Sequence, residues 1–346
     1  MKKIISILLA ALITALSFSF YSFAEPKRPL PVSAGIETLR NQFEPAVAPE
    51  TNGYALDYEY YSPVGKNDTT KYPIVIFLHG IGHGEYEGSQ VDDSGMPYWS
   101  SAELQARFSD GGAFIVLPRA PEEKNEFWGE SFLEPLRVLI DDFIAQHKDN
   151  VDTTRISISG SSQGGAMVWM MLKAYPEYFA TAFPIASTKT PTSSLIKNTS
   201  STAIWMLASK FDPIINYNLS TLSIWHKICR HNDHPENCRL STFGTVYNPD
   251  GTKSSDNHHL ANVITFDLHT LSDGPYPEMI TEDGLGNEVD TTSPNGLIKW
   301  ISTVHSDFTG KAESPERNVN IFEYIIQIFR NFLLQIVHIV QVILGL

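Results

Sequence analysis

Unbroken apolar runs punctuate the chain at intervals too long for hairpins. Ile74-Val75-Ile76-Phe77-Leu78 and Ala113-Phe114-Ile115-Val116-Leu117 contain no polar residue. Runs of this kind mark strands covered on both faces, as in a parallel sheet. Residues 179–185, 203–208 and 240–247 extend the series, and the alternating aromatics of residues 55–61 predict an edge strand. Between them the period changes. In residues 134–146, Leu136, Leu139, Ile140, Phe143 and Ile144 fall on one helical face, with Pro135 in the first turn where no N–H is needed. Residues 101–108, 164–172, 219–230 and 297–305 also read as helices. Strands separated by helices predict an α/β fold: a mostly parallel central sheet with helices on both faces.

The two ends follow other patterns. Lys2 and Lys3 precede an apolar stretch over residues 4–20, and Ser22-Phe23-Ala24 resembles a small-x-small cleavage site. Residues 1–24 therefore read as a secretory signal peptide, and the expected location is secreted, periplasmic or cell-envelope. Residues 25–50, Pro-rich and polar, read as an extended lead-in to a single domain over residues 51–310. In residues 318–346, Glu323, Gln327, Arg330, Asn331, Gln335, His338 and Gln341 form a polar stripe on an otherwise apolar helix. Such a helix suits a membrane surface, self-association or packing on the domain, and its length also permits a span.

A formal net charge of −14 argues against a nucleic-acid partner, whose binding needs basic patches. The two cysteines, Cys229 and Cys238, would close a short loop as a disulfide in an exported chain. Their spacing to His231 and His234 fits no zinc pattern. His83, Glu85, Asp92 and Asp93 are too irregularly spaced for a metal and read as a solvated loop. No metal or organic cofactor is expected.

The chemistry gathers around Arg155-Ile-Ser-Ile-Ser-Gly-Ser-Ser-Gln-Gly-Gly165. Ile156 and Ile158 alternate with Ser157 and Ser159 as in a strand, and residues 164–172 follow as a buried helix. Gly160-Ser161-Ser162-Gln163-Gly164 between them is a G-x-S-x-G pattern. Three fixed residues recur by chance, so the strand before and the helix after carry the assignment. In a nucleophile elbow the middle serine sits on a strained turn, and side chains at the flanking glycines would strike the neighbouring backbone. A serine hydroxyl needs a base within hydrogen-bond reach and a carboxylate to orient that base. In this chain order the acid follows the serine and the histidine comes last. Asp212, after the strand over residues 203–208, suits the acid. His258 suits the base, with His259 beside it as a neighbour that shapes the pocket. His269 gains if residues 263–271 form the last core strand instead. The backbone N–H groups of Gln163 and Ile81 are the expected oxyanion donors.

The chain resembles the secreted esterase and predicted-peptidase branch of the α/β-hydrolase superfamily, near polyhydroxybutyrate-depolymerase-like and phospholipase/carboxylesterase-like enzymes. The matching stretches are residues 72–84, 114–121, Trp128, and residues 155–169, 175–187 and 203–213, within roughly residues 55–305. The most specific is residues 152–169, followed by Tyr175-Pro176-Glu177. The resemblance implies Ser162 as nucleophile, Asp212 as acid, and Ile81 with Gln163 as oxyanion donors. The chain departs from the pattern in two places. Ala208-Ser209 stands where His-Gly often precedes the acid, and His258-His259-Leu260 replaces a His-x-x-Trp signature. The expected activity is hydrolysis of a small-molecule or lipid-like carboxylic ester through an acyl-enzyme. A peptidase using the same groups and a catalytically silent binding module are the alternatives.

Overall fold

The computed structural model describes residues 34–65, 68–81, 96–121, 128–189, 191–244, 259, 279–291 and 296–306. The strands are β1 (Glu44–Val47), β2 (Asp57–Tyr61), β3 (Tyr72–Leu78), β4 (Phe114–Pro118), β5 (Val151–Ser161), β6 (Thr181–Ile185), β7 (Ala203–Ser209), β8 (Arg239–Phe243) and β9 (Ile280–Asp283). The helices are α1 (Ile36–Arg40), α2 (Ala102–Gln105), α3 (Leu133–Gln146), α4 (Gln163–Ala174), α5 (Ser193–Asn198), α6 (Ser223–His231) and α7 (Leu297–Thr303). A π-helical turn, Tyr217–Leu222, leads into α6.

The nine strands among the described residues form one sheet in the order β1-β2-β4-β3-β5-β6-β7-β8-β9. The six from β4 to β8 are parallel, and antiparallel pairs close both ends. The apolar runs are buried on both faces. Ile74, Ile76 and Leu78 of β3 join a core with α3, α4 and α6, while Val75 and Phe77 join a second core with Trp99, α2 and α7. The Ile/Ser alternation of β5 has a different basis from a half-exposed strand. Ser157 and Ser159 are fully buried, and their hydroxyls bond to Thr181 Oγ1 (2.6 Å) and the Phe183 carbonyl (2.7 Å) on β6. Each buried hydroxyl is thereby paired, which removes the cost of desolvating it.

The start of β5 is anchored by Arg155. Its buried guanidinium pairs with Asp152 at 2.6 Å and with Asp110, and it donates to the carbonyls of Ser302 (3.2 Å) and Lys71 (3.1 Å). Burial disfavours the charge on Asp152, but hydrogen bonds from Thr154 and Arg155 outweigh it and hold its carboxyl below the ordinary range.

Several expectations change. Residues 36–40 are helical and 44–47 form β1, within the stretch read as an extended lead-in. β1, not β2, is the edge, and Pro45 is tolerated there because an edge strand has one unpaired side. The strand expected over residues 240–247 is β8, Arg239–Phe243, and residues 245–247 lie outside the described residues. β9 and α5 have no counterpart in the sequence reading. β9 is largely polar and is held by pairing with β8 and by Asp283, whose carboxylate accepts the N–H groups of Leu285 and Asn287.

The expected disulfide is also corrected: Cys229 and Cys238 are buried thiols with no bond between them. Cys229 lies on α6 and Cys238 leads into β8, both inside the α3–α4–α6 core. Burial pushes the Cys238 thiol up to about 12, so the thiolate needed for oxidation is suppressed. Both side chains act as small apolar core residues. Residues 1–24, residues 318–346, His83, Glu85, Asp92, Asp93, His258 and His269 lie outside the described residues. Among the described residues, no helix is long and apolar enough to cross a membrane.

Candidate active site

β3 is followed by β4 on one side in the sheet and by β5 on the other, so strand order reverses between β3 and β5. In open α/β sheets the crevice outside the carboxyl ends of such neighbours receives ligands. The loop beginning at His79 and the elbow at Ser162 both leave the sheet there.

Ser162 has φ 55° and ψ −110°, a conformation side chains rarely adopt. Three backbone bonds hold it. Its N–H donates to the Ile185 carbonyl (2.9 Å), and its own carbonyl accepts the N–H groups of Ala166 (3.1 Å) and Thr188 (3.2 Å). The flanking glycines are required by contact. A Cβ on Gly160 would lie 2.5 Å from the Gly164 backbone, and one on Gly164 would lie 2.1 Å from the Leu78 carbonyl oxygen. The helix can thus enter directly beneath β3. Gln163 is its first residue, and its N–H has no carbonyl one turn back within the helix to bond.

Asp212 follows β7 by three residues. Its Oδ1 accepts the N–H groups of Ile214 (2.8 Å) and Ile215 (2.9 Å), the tight turn that Pro213 permits. Its Oδ2 lies 2.8 Å from Nδ1 of His259. The pair is shielded, with the carboxylate side chain 2% exposed and the imidazole 9%. An ionised carboxylate only accepts, so Nδ1 carries the proton and Nε2 is the nitrogen able to take another. His259, read from the sequence as a neighbour of the base, is thus joined to Asp212.

Ile81, the other expected donor, stands at the start of the turn after β3 and is 54% exposed. The residue that organises this loop is His79, which sequence reasoning left without a role. It is buried, its Nε2 accepts the Ala120 N–H (3.1 Å), and its Nδ1 lies 2.8 Å from the Gly80 carbonyl. An Nε2 that accepts is unprotonated, so His79 is neutral and Nδ1 donates to Gly80. The signal in the sequence was a histidine directly after a buried strand and before glycine. Among the described residues, no group of three or more His, Cys, Asp or Glu side chains could hold a metal.

The sheet order, the strained serine after β5 and the acid after β7 define the α/β-hydrolase fold, which solved structures share. A thermostable esterase aligns over 65% of this chain and 61% of its own, with a TM-score of 0.52 and 23% identity. Est1E from Butyrivibrio proteoclasticus aligns over 62% and 90% (TM-score 0.43, 13% identity). The acylaminoacyl peptidase of Pyrococcus horikoshii aligns over 54% and 35% (TM-score 0.42, 16% identity). This chain therefore spans less than two thirds of the thermostable esterase, and the likeness bears on fold alone. No family model matches the sequence, and no curated protein matches it significantly.

Proposed function

We propose that the protein is a serine hydrolase that cleaves carboxylic esters through an acyl-enzyme, with Ser162 as nucleophile, His259 as base and Asp212 as orienting acid. The observation that carries this reading is the buried His259–Asp212 bond at the same sheet edge as the strained Ser162. β5 and β7 are separated only by β6, so their ends lie about 10 Å apart, a gap that one imidazole and one carboxylate can bridge. In the mechanism, Ser162 Oγ attacks the acyl carbon and His259 Nε2 takes its proton. The tetrahedral oxyanion forms facing the N–H groups of Gln163 and Ile81. His259 then protonates the departing alkoxide, and water repeats the sequence to release the acid. Asp212 stays ionised and stabilises the imidazolium.

An ester is favoured over a peptide because an alkoxide demands less protonation than an amine to leave. Export, and attachment to a lipid surface or assembly through residues 318–346, belong to the same proposal. The test is Ser162→Ala with p-nitrophenyl esters of increasing length and peptide p-nitroanilides as substrates, together with fluorophosphonate labelling. Wild type should label at Ser162 and hydrolyse esters, and the variant should lose about 10⁴–10⁶ in kcat. An unlabelled wild type, or a variant keeping a tenth of the activity, would refute the reading.

A further inference from the structure

The two expected oxyanion donors sit on separate segments. Ile81 lies on the loop after β3, whereas Gln163 opens α4. Stabilising an oxyanion requires both N–H groups within about 2.7–3.1 Å of a single oxygen. Neighbouring strands fix the bases of these segments, but not the position of a loop three residues beyond the sheet.

A third segment closes the gap. Trp128, between β4 and α3, is 2% exposed. Its indole N–H donates to the His79 carbonyl at 3.1 Å, and its own carbonyl accepts the side-chain amide of Gln163 at 2.9 Å. The indole also packs against the His79 imidazole with ring centroids 5.2 Å apart. One residue thus bonds to both sides, to the loop through its side chain and to the elbow through its backbone. His79, held on its other flank by Ala120 and Gly80, passes the constraint to Gly80 and Ile81.

We propose that Trp128 is a positioning residue that sets the separation between the N–H groups of Ile81 and Gln163. The proposal rests on reading those groups as the oxyanion donors. Its chemistry follows from the indole, which fills apolar space and still offers one N–H. A phenyl ring would fill much of the same space but leave the His79 carbonyl without that donor. Loss of the Gln163–Trp128 bond would free the elbow side in the same way. A misplacement near 1 Å in such a site costs on the order of 100-fold in rate.

The experiment compares Trp128→Phe, Gln163→Met and the double variant in the full chain. The readouts are kcat and KM for p-nitrophenyl acetate, Ki for a trifluoromethyl ketone, and Tm. The ketone adds Ser162 Oγ to its carbonyl carbon, and its oxygen becomes the anion the donors must meet. Each single variant should lose on the order of 10- to 100-fold in kcat. KM should stay within about twofold, because the interaction belongs to the transition state. Ki should rise by the same factor as kcat/KM falls. The double variant should lose less than the product of the singles, because both cut one link. Variants that lower Tm but keep wild-type kcat and Ki would overturn the proposal and leave Trp128 a packing residue. Should Trp128→Phe fail to fold, Gln163→Met decides alone, since it breaks the same link from the partly exposed elbow. A wild type that does not label at Ser162 refutes the hydrolase reading and this proposal together. A labelled wild type with unaffected variants refutes only the role of Trp128.

Discussion

Nδ1 of His259 meets Oδ2 of Asp212 at 2.8 Å across 47 residues of chain, while Oδ1 of the same carboxylate is taken by two backbone N–H groups. The carboxylate therefore cannot rotate without losing bonds, and it fixes the ring that bonds to it. This gives the base assignment a sharp consequence. His259→Ala should lower kcat by at least about 10⁴, and Asp212→Asn by a similar factor because the amide selects the wrong tautomer. His258→Ala should lose only a fraction of activity. Steady-state kinetics on the three variants decide this, and a crippled His258→Ala beside a mild His259→Ala would move the base.

Ser162 carries backbone strain that glycine would not. At φ 55° and ψ −110° a side chain costs about 1–3 kcal/mol, while glycine adds about 0.4–1 kcal/mol of unfolded-chain entropy. Ser162→Gly should therefore melt at a higher temperature than Ser162→Ala. Calorimetry on the pair measures this, and a lower Tm for the glycine variant would mean the turn is unstrained.

Asp152 links stability to pH. Its folded carboxyl is held below the ordinary value, so the unfolded chain binds its proton first as pH falls. The stabilisation is complete above the ordinary Asp range, near pH 4, and is lost as pH drops through the lower folded value. Asp152→Asn should cost about 1–3 kcal/mol at neutral pH. It should also flatten the fall of Tm as pH drops below about 4. Equal slopes in variant and wild type would show that other carboxylates set the acid limb.

The cysteines supply a simple check on the core. Native protein should react with a thiol reagent slowly or not at all, and two thiols should appear on denaturation without reductant. Reductant should leave Tm unchanged. Absence of titratable thiol after denaturation would restore the Cys229–Cys238 bridge.

How much of this was legible beforehand depends on what each feature needs. The apolar runs at Ile74–Leu78 and Phe114–Leu117 admit one arrangement, a strand covered on both faces, and glycines at 160 and 164 mark the place where helix and strand backbones touch. These are local properties, written in the period and volume of neighbouring side chains, so the parallel sheet and the strained turn at Ser162 followed from the sequence alone. β1 and β9 did not, because an edge strand is held by its partner's backbone and needs few apolar residues of its own. The cysteine spacing allowed a bridge that the packing of α6 and β8 does not make. The order of elements led to His258, but adjacent residues satisfy it equally, and the bond from His259 to Asp212 is a tertiary contact. Nor could any pattern near Trp128 reveal that its indole meets His79 and its carbonyl meets Gln163. Those contacts join segments that only the crossings of the completed sheet bring together, and a side chain's partner across such a distance is decided by tertiary packing.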